Sequence, residues 1–76
     1  MDKIIKQRIL KIGENIEAQI LKKGFSSVYD FWINSEDPIP KSTLHDIISG
    51  KSDPRISTLI AISESLEIPL SSLLDS

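Results

Sequence analysis

The sequence predicts an all-α fold, a compact five-helix bundle, on three observations. Isoleucines at 5, 9, 12, 16 and 20 recur at steps of 4, 3, 4 and 4, which places them on one stripe of a helix. Apolar residues repeat at helical spacing in three further stretches, each bounded by glycine, proline or serine. No stretch sustains the apolar–polar alternation of a half-buried strand.

The first helix is expected from about Asp2 to Lys23, with Ile4, Leu10 and Leu21 widening its stripe and Gly24 ending it. Lys22 and Lys23 lie where the helix dipole is negative. Gly13 falls inside and costs about 1 kcal/mol relative to alanine, so a break there is the alternative to one long helix. Ser26 or Ser27 caps a short second helix running to about Asn34, and Val28, Phe31 and Trp32 share helical spacing. Tyr29, Phe31 and Trp32 are assigned to the core rather than to a base-stacking platform. Residues 35–40 form a loop, because Asp37 and Ile39 precede prolines that push them out of the helical region.

A third helix opens at Pro40, which fits the first helical position, and closes at Gly50. Leu44, Ile47 and Ile48 mark its inner side. A fourth starts with Asp53 as cap and Pro54 in its first turn. Its expected buried face is Ile56, Leu59, Ile60, Ile62, Ser63 and Leu66, with Ser63 small enough for a close helix crossing. Glu67-Ile68-Pro69 interrupts the chain, and Leu70 to Leu74 form a last short turn.

The chain has 76 residues and reads as a single domain over 1–76. At this size a domain buries only about 60% of its unfolded surface, so its helices must pack well. There is no cysteine, which excludes a disulfide framework and a thiolate metal site, and the single histidine, His45, argues against a zinc site. No metal or other cofactor is expected. The longest apolar runs fall far short of a membrane span, and the N-terminus lacks a signal peptide's apolar stretch; a soluble cytoplasmic protein is expected. His45 and Asp46 are adjacent on a helix and point about 100° apart, which does not make a catalytic relay. Gly50-Lys51-Ser52 resembles the end of a phosphate loop but lacks the upstream glycine and strand. With no paired buried carboxylates expected and little room for a pocket, the chain is read as not an enzyme, with no small-molecule ligand evident.

The formal charge is −2, unevenly spread. Residues 1–24 carry six bases against three acids; residues 25–37 carry Asp30, Glu36 and Asp37 without a base. Residues 38–55 hold Lys41, Lys51 and Arg55 against Asp46 and Asp53, and the remainder holds three acids alone. The bases therefore gather in two blocks, and an acidic total is compatible with a basic face.

The informative segment is 39–54. A short helix opening with Lys-Ser-Thr presents small hydroxyls and one cation, which suits the DNA major groove: the backbone approaches closely and Lys41 reaches guanine or phosphate. The preceding short helix, with the Ser26 and Ser27 amides free at its positive end, could hold a phosphate. Together these form a helix-turn-helix.

In the order and spacing of these pieces, residues 12–74 resemble the Cro/phage-repressor (XRE-type) helix-turn-helix family. The stretch IGENIEAQILKKGFS is similar to the family's first helix and the start of its second. The stretch IPKSTLHDIISGKSDPRISTLIAISESLEIPLSSLL is similar to the run from recognition helix to closing turn. The resemblance implies a lambda-repressor-like domain with an N-terminal helical extension over residues 1–11. It implies duplex DNA as partner, a homodimer, and a role in transcriptional regulation, the recognition helix being about 40–50. The family's DNA-contacting positions fall on Ser27, on Lys41, Ser42, Thr43 and His45 along the recognition helix, and on Ser49, Lys51 and Ser52 near its end. Leu44, Ile47, Ile56, Leu59 and Leu66 fall on core positions.

Three features depart from the family pattern. The turn between the second and third helices, 34–39, is about three residues longer and carries Glu36 and Asp37. Asp46 stands where a base is frequent; it would repel phosphate but could accept from a cytosine amine. Ile48 replaces a polar residue. A second class of function, a protein-interaction or antitoxin-type module on the same fold, would use the acidic 30–37 segment and Ile48. The dimer surface is expected either on Ile68, Leu70, Leu73 and Leu74 or on the extension, where Ile5 and Ile9 are open to either role.

Overall fold

A computed structural model describes residues 3–35 and 39–74. Among the described residues five helices follow one another: α1 (Lys3–Lys22), α2 (Val28–Ile33), α3 (Lys41–Ser49), α4 (Ile56–Ser65) and α5 (Ser71–Leu74). No strand occurs among the described residues, and no helix there is long and apolar enough to cross a membrane. The expectations placed on Asp2 and on Glu36, Asp37 and Pro38 lie outside the described residues.

α1 is one continuous helix through Gly13, and it is the hub: α2, α3 and α5 all pack on it, while α4 packs on α5. Its isoleucine stripe sinks progressively into the core. Ile16 and Ile20 are wholly buried, Ile9 and Ile12 are half-buried, and Ile5 is 51% exposed. The glycine that looked like a defect is what lets α1 and α3 meet. A Cβ at Gly13 would stand 2.7 Å from the Ile47 carbonyl oxygen and still closer to that of Ile48. The helix ends as expected at Gly24, whose φ of +106° is left-handed.

The core comprises Ile16, Ile20, Phe31, Leu44, Ile47, Leu59, Ile62, Leu66 and Leu73. Phe25 meets Phe31 edge to face at 5.4 Å, an arrangement that matches ring edge to ring face. Ser63 is buried among them, and its hydroxyl donates to the Ile60 carbonyl at 2.8 Å, so no polar group is stranded there. Asn15 Nδ2 donates to the Leu73 carbonyl at 3.0 Å and ties α5 to α1.

Four assignments from the sequence change. Tyr29 is 49% exposed rather than in the core: the α2 face that meets the rest of the domain centres on Phe31, leaving Trp32 half-buried. Ile56 and Ile60 are 60% and 41% exposed. The inward row of α4 is Leu59, Ile62, Ser63 and Leu66; Ile60 lies about 100° round from Leu59, and Ile56 occupies the free first turn. α4 also begins two residues beyond Pro54. Its cap position is Arg55, in an extended conformation and without a side-chain capping bond, so Asp53 is not the cap. The apolar residues offered for a C-terminal dimer surface mostly serve the monomer. Leu73 is fully buried and Ile68 and Leu70 pack on the core, leaving Leu74 exposed.

The interruption after α4 has a backbone cause. Glu67 adopts φ +57°, Glu67 N donates to Glu64 O at 3.1 Å, and Ile68 N donates to Ser63 O at 3.0 Å. This is a Schellman closure with a non-glycine residue in the left-handed position.

Candidate nucleic-acid interface

α3 is positioned from both ends. At its start Pro40 is the cap residue, so the helix begins at Lys41, one residue later than expected. Just upstream, Trp32 Nε1 of α2 donates to the Ile39 carbonyl at 2.7 Å, fastening the chain entering α3 to α2. At its end Gly50 (φ +79°) closes a Schellman motif: Gly50 N donates to Ile47 O at 3.2 Å and Lys51 N to Asp46 O at 2.9 Å. Leu10 of α1 packs over Gly50, its Cδ2 taking the place a Cβ there would occupy.

Leu44 and Ile47 point into the core and Ile48 packs half-buried beside them, so the opposite side of α3 is free. Ser42, His45 and Ser49 are exposed on it, Lys41 is exposed on the flank one turn before Leu44, and exposed Lys51 and Ser52 follow. Thr43 is half-buried on the flank next to Ile47, so its hydroxyl stands at the edge of this face rather than at its front. Asp46 is half-buried in the middle, its Oδ1 3.8 Å from His45 Nδ1, too far for a hydrogen bond. Ser49 Oγ donates back to the Asp46 carbonyl at 3.3 Å.

Lys41 does not extend freely. Its Nζ rests 4.6 Å above the Tyr29 ring, a cation–π contact across the seam between α2 and α3. Beside it, Val28, Tyr29, Trp32, Leu44, His45 and Glu17 surround a cleft of about 320 Å³ with a largely apolar wall. Tyr29 thus joins the site that sequence reading left to others. Its spacing alone could not separate it from Phe31.

Ser27 is exposed at the start of α2 and caps it, accepting from Asp30 N at 3.1 Å. The phosphate cradle expected from the Ser26 and Ser27 amides is already partly filled. The Asp30 carboxylate accepts from Ser26 N at 3.0 Å and from Ser26 Oγ at 3.3 Å. A carboxylate beside the positive helix end repels a second anion there. The Ser27-x-x-Asp30 spacing is close to that of a capping box, but the Asp30 carboxylate reaches Ser26 N, one residue before the cap, rather than the N–H of Ser27. What remains for Ser27 is its hydroxyl proton, free to donate outward.

Compared with known proteins, the chain matches no family model, no curated protein and no solved structure.

Proposed function

We propose that the chain is a small transcriptional regulator that binds duplex DNA sequence-specifically, with α3 in the major groove. The observation that carries this reading is the free face of α3. It is a nine-residue helix whose inner side is spent on the core, whose outer side is small and polar, and whose end delivers Lys51. A helix of that kind fits the width of the groove and brings its backbone close to the bases.

Each residue then has a role. Lys41, lifted from Tyr29, donates to guanine; Ser42 and His45 meet base edges; Thr43 contributes from the flank. Asp46 accepts from a cytosine amine, which makes it a selector rather than an affinity residue. Ser27, Ser49, Lys51 and Ser52 meet the sugar–phosphate backbone and set the register. With few phosphate contacts per domain, two copies on half-sites about 34 Å apart supply the affinity, so the working form is a homodimer on DNA in the cytoplasm.

Selection from a random duplex pool, followed by titration of the selected site at two salt concentrations, tests the reading. Lys41→Ala should cost about 1–3 kcal/mol and relax selectivity at one base pair. No enrichment, no binding at low salt, or binding indifferent to salt would each overturn it, because phosphate contacts release counterions. Those outcomes would favour the protein-interaction module instead.

A further inference from the structure

α1 and α3 run antiparallel, and their contacts follow one row of α1 in reverse along α3. Glu17 faces the cleft beside Lys41, Gly13 abuts the Ile47 and Ile48 carbonyls, and Leu10 covers Gly50. The row then continues past the last turn of α3, and its next member is Lys6. Lys6 lines a cleft of about 520 Å³ together with Leu10, Gly50, Lys51 and Asp53. Lys6, Lys51 and Asp53 are all exposed.

Two features make this cleft more than a solvated surface. The two lysines come from elements more than forty positions apart in the sequence, and both line one concavity whose wall is fixed by the Leu10–Gly50 contact. Residues 3–13 also carry Lys3, Lys6, Arg8 and Lys11 without an acid, so the helix leading into the cleft brings only positive charge.

From this arrangement we infer that the cleft is a second phosphate-binding element. Lys6 of α1 and Lys51 after α3 hold one backbone phosphate of the duplex, flanking the groove that α3 enters. The inference rests on the DNA-binding reading and extends it to a part of the chain outside the helix-turn-helix. Asp53, on the same wall, opposes the anion and limits the affinity.

The test measures binding of a mixed-sequence duplex by fluorescence anisotropy between 50 and 200 mM salt. It uses the parent chain, Lys6→Ala, Lys6→Arg, Asp53→Asn and Lys22→Ala, the last an exposed lysine at the far end of α1. Lys6→Ala should lower the slope of log K against log salt by about 0.9 and weaken binding about eightfold at 0.1 M salt, equally for all sequences. Lys6→Arg should retain the parent slope, Lys22→Ala should match the parent, and Asp53→Asn should bind more tightly. Circular dichroism melts check that each variant folds. If the parent binds and Lys6→Ala keeps its slope, or Lys22→Ala loses as much, the second element is refuted while the α3 reading stands. If the parent does not bind at low salt, both fall together.

Discussion

Replacing Gly13 with alanine sets two effects of opposite sign against each other. In an isolated helix the substitution would stabilise by about 1 kcal/mol, since alanine loses less backbone freedom on folding. In this bundle the new methyl meets backbone rather than a movable side chain. Its distance to the Ile47 carbonyl oxygen must open from 2.7 Å to the ordinary 3.4 Å, and further at Ile48. Only separation of α1 from α3 achieves this, and it loosens Leu44 and Ile47 against Ile16 and Ile20. Overpacking that shifts backbone costs about 1–3 kcal/mol, and with two carbonyl oxygens inside the new methyl's contact distance the upper half of that range applies, which outweighs the propensity gain. We expect a net loss of about 1–2 kcal/mol, a fall in melting temperature of about 5–15 °C for a domain this small. Urea denaturation followed by the fluorescence of the single tryptophan, with a parallel thermal melt by circular dichroism, measures it. A Gly13→Ala protein at least as stable as the parent would refute the close approach of α1 and α3.

The other expectations follow from burial, backbone and caps. Leu44→Ala should lose about 2–5 kcal/mol, whereas Ile60→Ala, exposed, should stay within about 0.5 kcal/mol; equal losses in urea titrations would reverse the assignment of the α4 face. Glu67→Gly should stabilise by about 0.5–1 kcal/mol, because glycine relieves the left-handed strain at φ +57° at the cost of a freer unfolded chain; a lowered denaturation midpoint would contradict it. Ser27→Ala should cost about 1 kcal/mol of stability without DNA present, as a helix cap does, and an unchanged melt would remove Ser27 from that role.

The parts legible in the sequence were those set by local periodicity and capping chemistry. The burial of Ile16, Ile20, Leu44, Ile47, Leu59 and Leu66 follows from helical spacing alone, and Gly24 and Gly50 announce their helix ends. What escaped depends on which neighbour arrives from a distance. Tyr29 and Phe31 are equally plausible core residues until the packed face of α2 is known. Ile56 and Ile60 are apolar enough for a core, but the bundle covers only the opposite side of α4. Lys6 carries no local sign of function, since its place beside Lys51 is set by the register of two helices far apart in sequence. Gly13 was readable in principle: a glycine within a strong helix and away from any turn signal marks a close approach as readily as a break.

The hub position of α1 also bears on how the molecule is made. α1 leaves the ribosome ahead of the other four helices, yet its buried stripe is covered by α3 and by Leu73 of α5, and Asn15 finds the Leu73 carbonyl 58 positions later. A helix in a protein draws most of its stability from packing of its apolar face. During synthesis its isoleucines therefore stay available to other binding partners, such as chaperones, until nearly the whole bundle has emerged. Loss of the last short helix would uncover the side of α1 that Leu73 covers and leave Asn15 without the Leu73 carbonyl.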